Sequence, residues 1–128
     1  MPKQPITTPK AKAIGPYSAA IESGELVFVS GQIPLDSLSG KLVEGDIAAQ
    51  TRQALENLKT ILAAAGLGFG HVVKTTIFLT SMGDFAAVNG VYQSYLSEPY
   101  PARSTIAVAA LPMGAKVEIE MVASRSAA

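Results

Sequence analysis

The spacing of apolar and polar positions along the chain predicts five strands. Short runs that alternate apolar and polar residues, or that are rich in β-branched side chains, are typical of strands with one or both faces buried. Turns at Ser23-Gly24-Glu25 and at Leu111-Pro112-Met113-Gly114 separate the first two and the last two of these runs. The predicted strands cover residues 17–22, 26–30, 72–80, 103–110 and 116–124.

Two segments with helical spacing lie between the strands. Asp46 is a typical N-cap residue for the first helix, and Gly66 stands where a glycine commonly ends one. Asp84 is the predicted N-cap of the second helix, which Pro99 and Pro101 end because proline cannot continue a helix. The apolar stripe of the first helix consists of Ile47, Thr51, Ala54, Leu55, Leu58, Ile61, Leu62 and Ala65. The stripe of the second helix consists of Phe85, Val88, Tyr92, Tyr95 and Leu96.

The element order β-β-α-β-α-β-β predicts an α/β (α+β) domain in which both helices pack on one face of a mixed sheet. We expect a single domain over residues 1–128, with a flexible N-terminal segment at residues 1–13. Two helices cover only one face, yet apolar residues are predicted on both, so the uncovered face needs another subunit. The residues behind this expectation are Val27, Val29, Ile106, Val108, Val117 and Ile119.

Composition points the same way, because 48% of the residues are hydrophobic and only 16% are charged, which favours self-association. The formal net charge is zero and no run of lysine or arginine is present, so a nucleic-acid partner, which needs a basic stripe, is disfavoured. The chain has no cysteine, which excludes disulfides and thiol nucleophiles. A single histidine, His71, leaves no cluster for a transition metal, so we expect no metal site.

The first twelve residues carry three prolines and three lysines but no apolar run. They have the pattern of neither a signal peptide nor a membrane span. We therefore expect a cytoplasmic protein with no membrane partner.

Arg103 and two glutamates form the most suggestive grouping for chemistry. Arg103 opens a predicted strand, and Glu118 and Glu120 share one face of the last strand, opposite Val117 and Ile119. An arginine fork binds a carboxylate through two hydrogen bonds, and a nearby glutamate can hold a water molecule and accept its proton. We expect Arg103 beside the carboxylates at a substrate site on an inner sheet face. A structural Arg–Glu pair that locks the sheet in the assembly explains the same residues equally well.

Three other positions are candidates for the same site. Tyr17 follows the rigid turn Gly15-Pro16, which would direct its hydroxyl, although a packing role accounts for it too. Gly31, within Ser30-Gly31-Gln32 at the end of a strand, allows a ligand to approach the backbone, although a β-bulge alone also explains it. Asn89, in the second helix, can reach the cleft or cap a neighbouring backbone.

Five segments carry a resemblance that goes beyond these single positions. They read IGPYSAAI, VSGQIP, VVKTTIFL, DFAAVN and YPARSTIAVAALPMGAKVEIEMVA, and with the QTRQALENLKTIL helix they span roughly residues 14–123. In their order, and in the length of the last segment, they resemble the RidA/YjgF family of imine deaminases. The resemblance implies a chorismate-mutase-like fold and a homotrimer with three sites at the clefts between subunits.

The resemblance also implies a role for each matching residue. Arg103, the arginine of the PAR-S motif, corresponds to the family's ligand for the substrate carboxylate. Glu118, the first glutamate of VEIE, corresponds to the residue that positions the hydrolytic water. Thr105 stands where many members have a cysteine, so thiol-based regulation is absent here, while its backbone can still contact the ligand. The positions that line the family's pocket are matched by Tyr17, Ser30, Gly31 and Asn89.

The implied activity is that of a 2-iminobutanoate/2-iminopropanoate deaminase, which hydrolyses 2-imino or enamine acids to 2-keto acids and ammonia. Arg103 would hold the carboxylate while a water held by Glu118, with Tyr17, attacks C2. Neither a metal nor an organic cofactor is implied. One alternative is a single-strand endoribonuclease or translation inhibitor, against which the zero net charge argues. The other is a non-catalytic binding or holdase protein, which has no use for Arg103 and Glu118.

Overall fold

The computed structural model describes residues 2–128, so that Met1 lies outside the described part of the predicted domain. It contains one six-stranded sheet and two α-helices. Three short 3₁₀ turns also occur, at Phe69–His71, Met82–Asp84 and Pro112–Gly114. The main elements are β1 (Gln4–Ile6), β2 (Ala20–Ser23), β3 (Leu26–Gln32), α1 (Ile47–Ala64), β4 (Val72–Leu79), α2 (Phe85–Tyr95), β5 (Ala102–Ala107) and β6 (Val117–Ser124).

The strands lie in the order β1-β2-β3-β6-β4-β5. All neighbouring pairs are antiparallel except β4 and β5, which run parallel and are joined through α2. The predicted mixed sheet is therefore confirmed, and each of the five predicted strands is present, although the first begins at Ala20 and not at Tyr17, and the fourth ends at Ala107 and not at Ala110. β5, which carries Arg103, is an edge strand, so one side of its backbone has no partner strand among the described residues.

The first helix follows its sequence signals closely. The carboxylate of Asp46 accepts a hydrogen bond from the backbone N–H of Ala49 at 2.9 Å, as expected of an N-cap. Gly66, just past the helix, has φ +77°, a conformation that favours glycine. The apolar stripe of α1 packs against β3 and β6, and Leu55, Leu58 and Ile61 are fully buried there. Neither helix in the described part of the chain combines the length and hydropathy that crossing a bilayer requires.

The second helix begins differently from the prediction. Asp84 already has helical backbone angles, and its side chain makes no capping hydrogen bond. Ser81, three residues earlier, has an extended backbone, and its hydroxyl accepts a hydrogen bond from the N–H of Gly83 at 3.2 Å. The cap thus belongs to the 3₁₀ turn that leads into α2, and the capping role predicted for Asp84 is wrong.

The N-terminal segment contains a strand that the sequence did not predict. Gln4–Ile6 pairs antiparallel with β2, with Pro5 opposite Ile21. Proline is tolerated in this strand because it lies at the edge of the sheet, where one side of the backbone needs no ladder hydrogen bond. The expectation of a flexible segment over residues 1–13 is therefore corrected for these three residues.

The two faces of the sheet differ sharply in burial. Both helices lie over one face, as predicted, and its side chains form the core: Val27, Val29, Ile77, Leu79, Val117, Ile119 and Met121. The other face, here called the open face, carries no helix. Strand alternation places Ile21, Leu26, Phe28, Phe78, Ile106 and Val122 on it, among Lys74, Thr76, Ser104, Glu118 and Glu120.

The expectation that both faces are largely apolar holds in part. Of the residues behind it, Val27, Val29, Val117 and Ile119 lie on the covered face and Ile106 lies on the open one, where Lys74, Glu118 and Glu120 also stand. The open face is nevertheless rich in apolar side chains from other positions, and the side chain of Phe28 is 44% exposed in the single chain. An uncovered apolar surface of this kind is typical of a protein that associates.

Candidate functional site

Arg103 is held at the outer edge of the sheet by residues of α2. Its Nη1 donates a hydrogen bond to Oδ1 of Asn89 at 2.7 Å. The guanidinium carbon lies 5.0 Å from the ring centre of Tyr92 and 5.7 Å from that of Phe85. These contacts orient the exposed guanidinium without neutralising it, so that its other N–H groups can bind an anion. Arg103, Asn89, Phe85 and Tyr92 are called the Arg103 group below.

A cleft of about 390 Å³ borders the Arg103 group. Tyr92, in its wall, is fixed by a hydrogen bond of 3.1 Å from its hydroxyl to Oγ1 of the buried Thr75. The cleft has aromatic and polar walls with a single cation, a composition that suits a small anionic ligand. Its lining consists of Asn89, Tyr92, Gln93, Tyr100, Pro101 and Arg103.

Thr105 lies two residues after Arg103 on β5 and therefore on the same face of the strand. Its Oγ1 is buried and has no hydrogen-bond partner among residues 2–128. A buried hydroxyl without a partner is uncommon, because leaving it unpaired costs about 1–3 kcal/mol. Because that oxygen is buried in the single chain, the unpaired hydroxyl does not itself offer a contact to a ligand.

Glu118 lies on the open face, against the backbone of Gly31. A Cβ atom at Gly31 would stand 2.0 Å from Oε2 of Glu118 and 2.9 Å from its Cδ. Only glycine at residue 31 leaves room for the carboxylate in this position. The β3–β6 register shifts between Val29 and Gln32, so the β-bulge considered for this segment is present. It brings the backbone of β3 against the glutamate side chain, which the bulge interpretation alone did not anticipate.

The surroundings of Glu118 raise the pKa of its carboxyl group. Partial burial is the larger cause, since it disfavours the charged form, and the negative charge of Glu120 on the same face is the second. A carboxylate with a raised pKa is a stronger base than an ordinary glutamate. Glu118 is therefore better suited than a fully solvated glutamate to take a proton from water.

Ser30 and Tyr17 hold the loop before β2 against the bulge. The hydroxyl of Ser30 donates to the carbonyl of Ser18 at 2.6 Å, and its N–H donates to the carbonyl of Ala19 at 2.9 Å. The Tyr17 hydroxyl accepts a hydrogen bond from the N–H of Ile14 at 3.2 Å, and the side chain is 51% exposed. Because the hydroxyl acts as acceptor there, its own proton remains free for a ligand. Glu118, Gly31, Ser30 and Tyr17 are called the Glu118 group below.

A second cavity, of about 340 Å³, borders the Glu118 group. Its walls are formed by the loop before β2, by the end of β3 with the residues that follow, and by the turn at Pro112–Gly114. The lining includes Ile14, Tyr17, Gly31, Ile33, Pro112 and Met113.

The two groups do not meet within one chain. Arg103 is paired in register with the buried Thr75, on the covered face, whereas Glu118 is paired with Phe78, on the open face. The prediction that Arg103 stands beside Glu118 and Glu120 on one sheet face is wrong. Alternation correctly predicts which residues of one strand share a face. Only the register between strands decides which side chains of different strands do so.

The structural alternative, an Arg–Glu pair that locks the sheet in the assembly, stays a prediction, and among residues 2–128 of the single chain Arg103 pairs with no glutamate. Among residues 2–128 the ion pair that forms is that of Arg125 with Glu22, far from either group. The sequence analysis also did not predict that the rings of Phe85 and Tyr92 lie against the guanidinium of Arg103, because both residues belong to the apolar stripe of the helix. Their spacing to Asn89 in the helix, four residues and three residues, places all three on one side of α2 and could have revealed it.

Comparisons with known proteins agree with the fold. Residues 7–125 match the model of the family described as Endoribonuclease L-PSP. The chain is 55% identical to Protein DfrA of Myxococcus xanthus over 114 residues, 88% of this chain and 87% of that protein. It is 50% identical to the 2-iminobutanoate/2-iminopropanoate deaminase of Mus musculus over 119 residues, 92% of this chain and 88% of the relative. The crystal structure of E. coli TdcF with bound serine superposes with a TM-score of 0.90 at 43% identity, covering 96% of this chain and 99% of the other.

Proposed function

This chain belongs to the RidA/YjgF family, described also as Endoribonuclease L-PSP, and on that premise we propose that it hydrolyses 2-imino acids to 2-keto acids and ammonia. An enzyme with this activity is called a 2-iminobutanoate/2-iminopropanoate deaminase, which is the name of the mouse relative. The observation that carries the proposal is the carboxylate of Glu118, held against Gly31 with a raised pKa. A base of this kind, in contact with a glycine that lines a cavity, suits the activation of water.

Arg103 binds the carboxylate of the substrate in this proposal. Its guanidinium is fixed by Asn89 and by two aromatic rings, so little conformational freedom is lost when two parallel N–H···O bonds form. The free edge of β5 adds backbone hydrogen-bonding groups next to it. Serine, bound in the TdcF structure, is itself a small molecule with a carboxylate.

The complete site requires two copies of the chain. Arg103 and Glu118 lie on opposite faces of one sheet, so a substrate that contacts both must bind between the Arg103 group of one subunit and the Glu118 group of its neighbour. Two different surfaces then meet in a head-to-tail interface, which closes into a ring. A homotrimer fits this geometry and covers the open face, whose burial contributes about 25 cal/mol per Å² of apolar area.

The reaction proceeds by addition of water and loss of ammonia. Glu118 holds a water molecule and takes its proton as the oxygen attacks C2 of the imine, giving a tetrahedral carbinolamine. That proton passes to the nitrogen. Glu118 then carries the proton of the carbinolamine hydroxyl to the same nitrogen, the C–N bond breaks as the C=O bond forms, and the keto acid and ammonia leave. The Tyr17 hydroxyl, whose proton is free, donates to the oxygen or nitrogen at C2. An imine is an activated electrophile, so a positioned water and a weak base supply the acceleration without metal or cofactor.

The two alternative classes lack comparable support. An endoribonuclease needs a positive surface for the phosphate backbone, and the chain has ten basic and ten acidic residues. A holdase would use the apolar open face but gives no reason for a glycine that makes room for a carboxylate, or for an arginine fixed on two rings. The family description as an endoribonuclease makes RNA the first control substrate.

A coupled assay tests the proposal most simply. A pyridoxal-phosphate dehydratase acting on serine or threonine releases the enamine, which hydrolyses slowly without a catalyst. Adding the purified protein should accelerate keto-acid formation in proportion to its concentration, whereas single-stranded RNA should remain intact under the same conditions. The proposal fails if keto acid forms at the uncatalysed rate, or if RNA cleavage follows the protein and is lost in Glu118→Gln.

A further inference from the structure

Met113 has an unusual backbone conformation in the turn that precedes β6. Its φ is +59°, and it is the one non-glycine residue with a positive φ among residues 2–128. It lies in the turn Pro112–Gly114, immediately before β6, the strand that carries Glu118. A side chain other than glycine in this conformation is held there against a local preference, and such positions are concentrated at functional sites.

The side chain of Met113 borders the cavity of the Glu118 group. The same cavity of about 340 Å³ is lined by Gly31 and Tyr17. Gly31 is also the residue against which the Glu118 carboxylate rests, so one residue of the cavity wall contacts the water-activating group. Met113 is 58% exposed in the single chain and is therefore free to contact a ligand there.

The remaining walls of the cavity are mostly apolar. Ile14, Ile33, Leu35 and Pro112 contribute alkyl surface, and Lys12 is the one charged residue among those that line it. A volume of this size lies within the range of ligand pockets and exceeds the needs of a three-carbon imino acid. Walls of this composition suit a hydrocarbon side chain.

We propose that Met113 is a specificity-determining residue that contacts the side chain of the substrate, and that the site prefers 2-imino acids with alkyl side chains of about four carbons. This inference rests on the proposed deaminase function and adds the substrate class to it. Methionine suits such a role because its flexible, polarisable side chain adapts to alkyl groups of different shape. The cavity joins Met113 to Gly31, the residue against which the Glu118 carboxylate rests.

The test compares two imines made in place by an L-amino-acid oxidase, one from leucine and one from alanine. The parental protein should show the higher kcat/KM with the leucine-derived imine. Met113→Gly, which also relieves the positive φ, should lower the leucine-to-alanine ratio of kcat/KM by about tenfold, the effect of losing one or two methylene contacts. Met113→Lys should lower the same ratio further, because an ammonium group disfavours an alkyl side chain.

The matched control is Met82→Ala. Met82 is a methionine of similar exposure, 48%, in another 3₁₀ turn, and it is not among the residues that line this cavity or the Arg103 cleft. Its replacement should leave the ratio unchanged, and thermal melting of each variant verifies the fold.

The outcomes separate the inference from the function on which it rests. If both imines are hydrolysed but Met113→Gly and Met113→Lys keep the parental ratio, the role of Met113 is wrong and the deaminase function stands. A parental preference for an imine with a distal carboxylate, which Lys12 would bind, also overturns the inference. If no imine is hydrolysed at all, the proposed function fails, and the inference fails with it.

Discussion

The Arg103 group and the Glu118 group occupy opposite faces of one sheet and hold their charges by different means. Arg103 is exposed, and an amide and two aromatic rings fix it while its charge remains. Glu118 is half-buried against a glycine backbone, and burial makes its charged form less favourable. The first environment keeps a permanent cation in one orientation, and the second makes a carboxylate more basic.

The difference shows how the proposed chemistry is divided between two surfaces. Binding an anion requires a charge that stays constant with pH, whereas activating water requires a group that gains and loses a proton. One environment cannot supply both the constant charge and the basic carboxylate. Contact with Arg103 inside the chain would lower the pKa of Glu118, which burial raises. Separate faces let each group form in the single chain, and the proposed assembly would bring them to one substrate.

Disrupting assembly should have the largest effect. Phe28 is 44% exposed on the open face, and Phe28→Glu would place a charge where a neighbouring chain is expected. We expect a folded monomer by circular dichroism and light scattering, with deaminase activity lost by about a thousandfold or more, because each site lacks one of its two groups. Leu38→Glu is the control, since Leu38 is 97% exposed in a loop. A monomeric Phe28→Glu that keeps parental activity would show that one chain suffices.

Removing the arginine should cost somewhat less. Arg103→Ala loses a charge-assisted bidentate contact and should lower kcat/KM at least about a hundredfold. Arg103→Lys should recover little of the loss, because an ammonium group cannot reproduce the fork or stack on Tyr92 and Phe85 in the same way. Arg52→Ala, at an exposed position of α1, serves as the matched control. Parental kcat/KM in a correctly assembled Arg103→Ala would remove the carboxylate anchor from the account.

Replacing the base should act on kcat and on its pH dependence. Glu118→Gln should lower kcat by about a hundredfold while affinity for an unreactive carboxylate ligand changes little. In the parental protein the rate should fall at low pH as Glu118 is protonated, at a pH above the ordinary glutamate range because its pKa is raised. Glu120→Gln removes the neighbouring negative charge and should shift this fall to lower pH. Equal losses of kcat in both variants would leave no basis for assigning the role to Glu118.

The smallest effect is expected where only the position of the carboxylate changes. In Gly31→Ala the new methyl group would overlap Oε2 of Glu118 and should push the carboxylate aside. We expect a loss of roughly tenfold in kcat with the charge itself retained. Gly68→Ala is the control, because no atom lies within 4 Å of a Cβ placed there and its φ is negative. Unchanged kcat in Gly31→Ala would mean that the contact does not position the base.

Local signals in the sequence predicted much of this fold. The cap at Asp46 and the glycine at Gly66 fixed the limits of α1, because both act within a few residues of the backbone they satisfy. The sequence did not predict β1, because its Pro-rich residues carry no strand pattern of their own. They form a strand because they pair with β2. The site is harder to predict for the same reason. Arg103 and Glu118 were placed on one face because register is a long-range property that no alternation pattern contains.

Mixing two inactive variants tests the central claim, that each site takes Arg103 from one chain and Glu118 from another. Arg103→Ala and Glu118→Gln chains would be unfolded together, refolded at equal amounts, and verified as mixed oligomers by native mass spectrometry. In a ring of head-to-tail interfaces, random mixing places an intact arginine beside an intact glutamate at about one quarter of the sites. The account predicts about a quarter of parental activity from two proteins that are each inactive. Mixed oligomers no more active than the separate variants would contradict it.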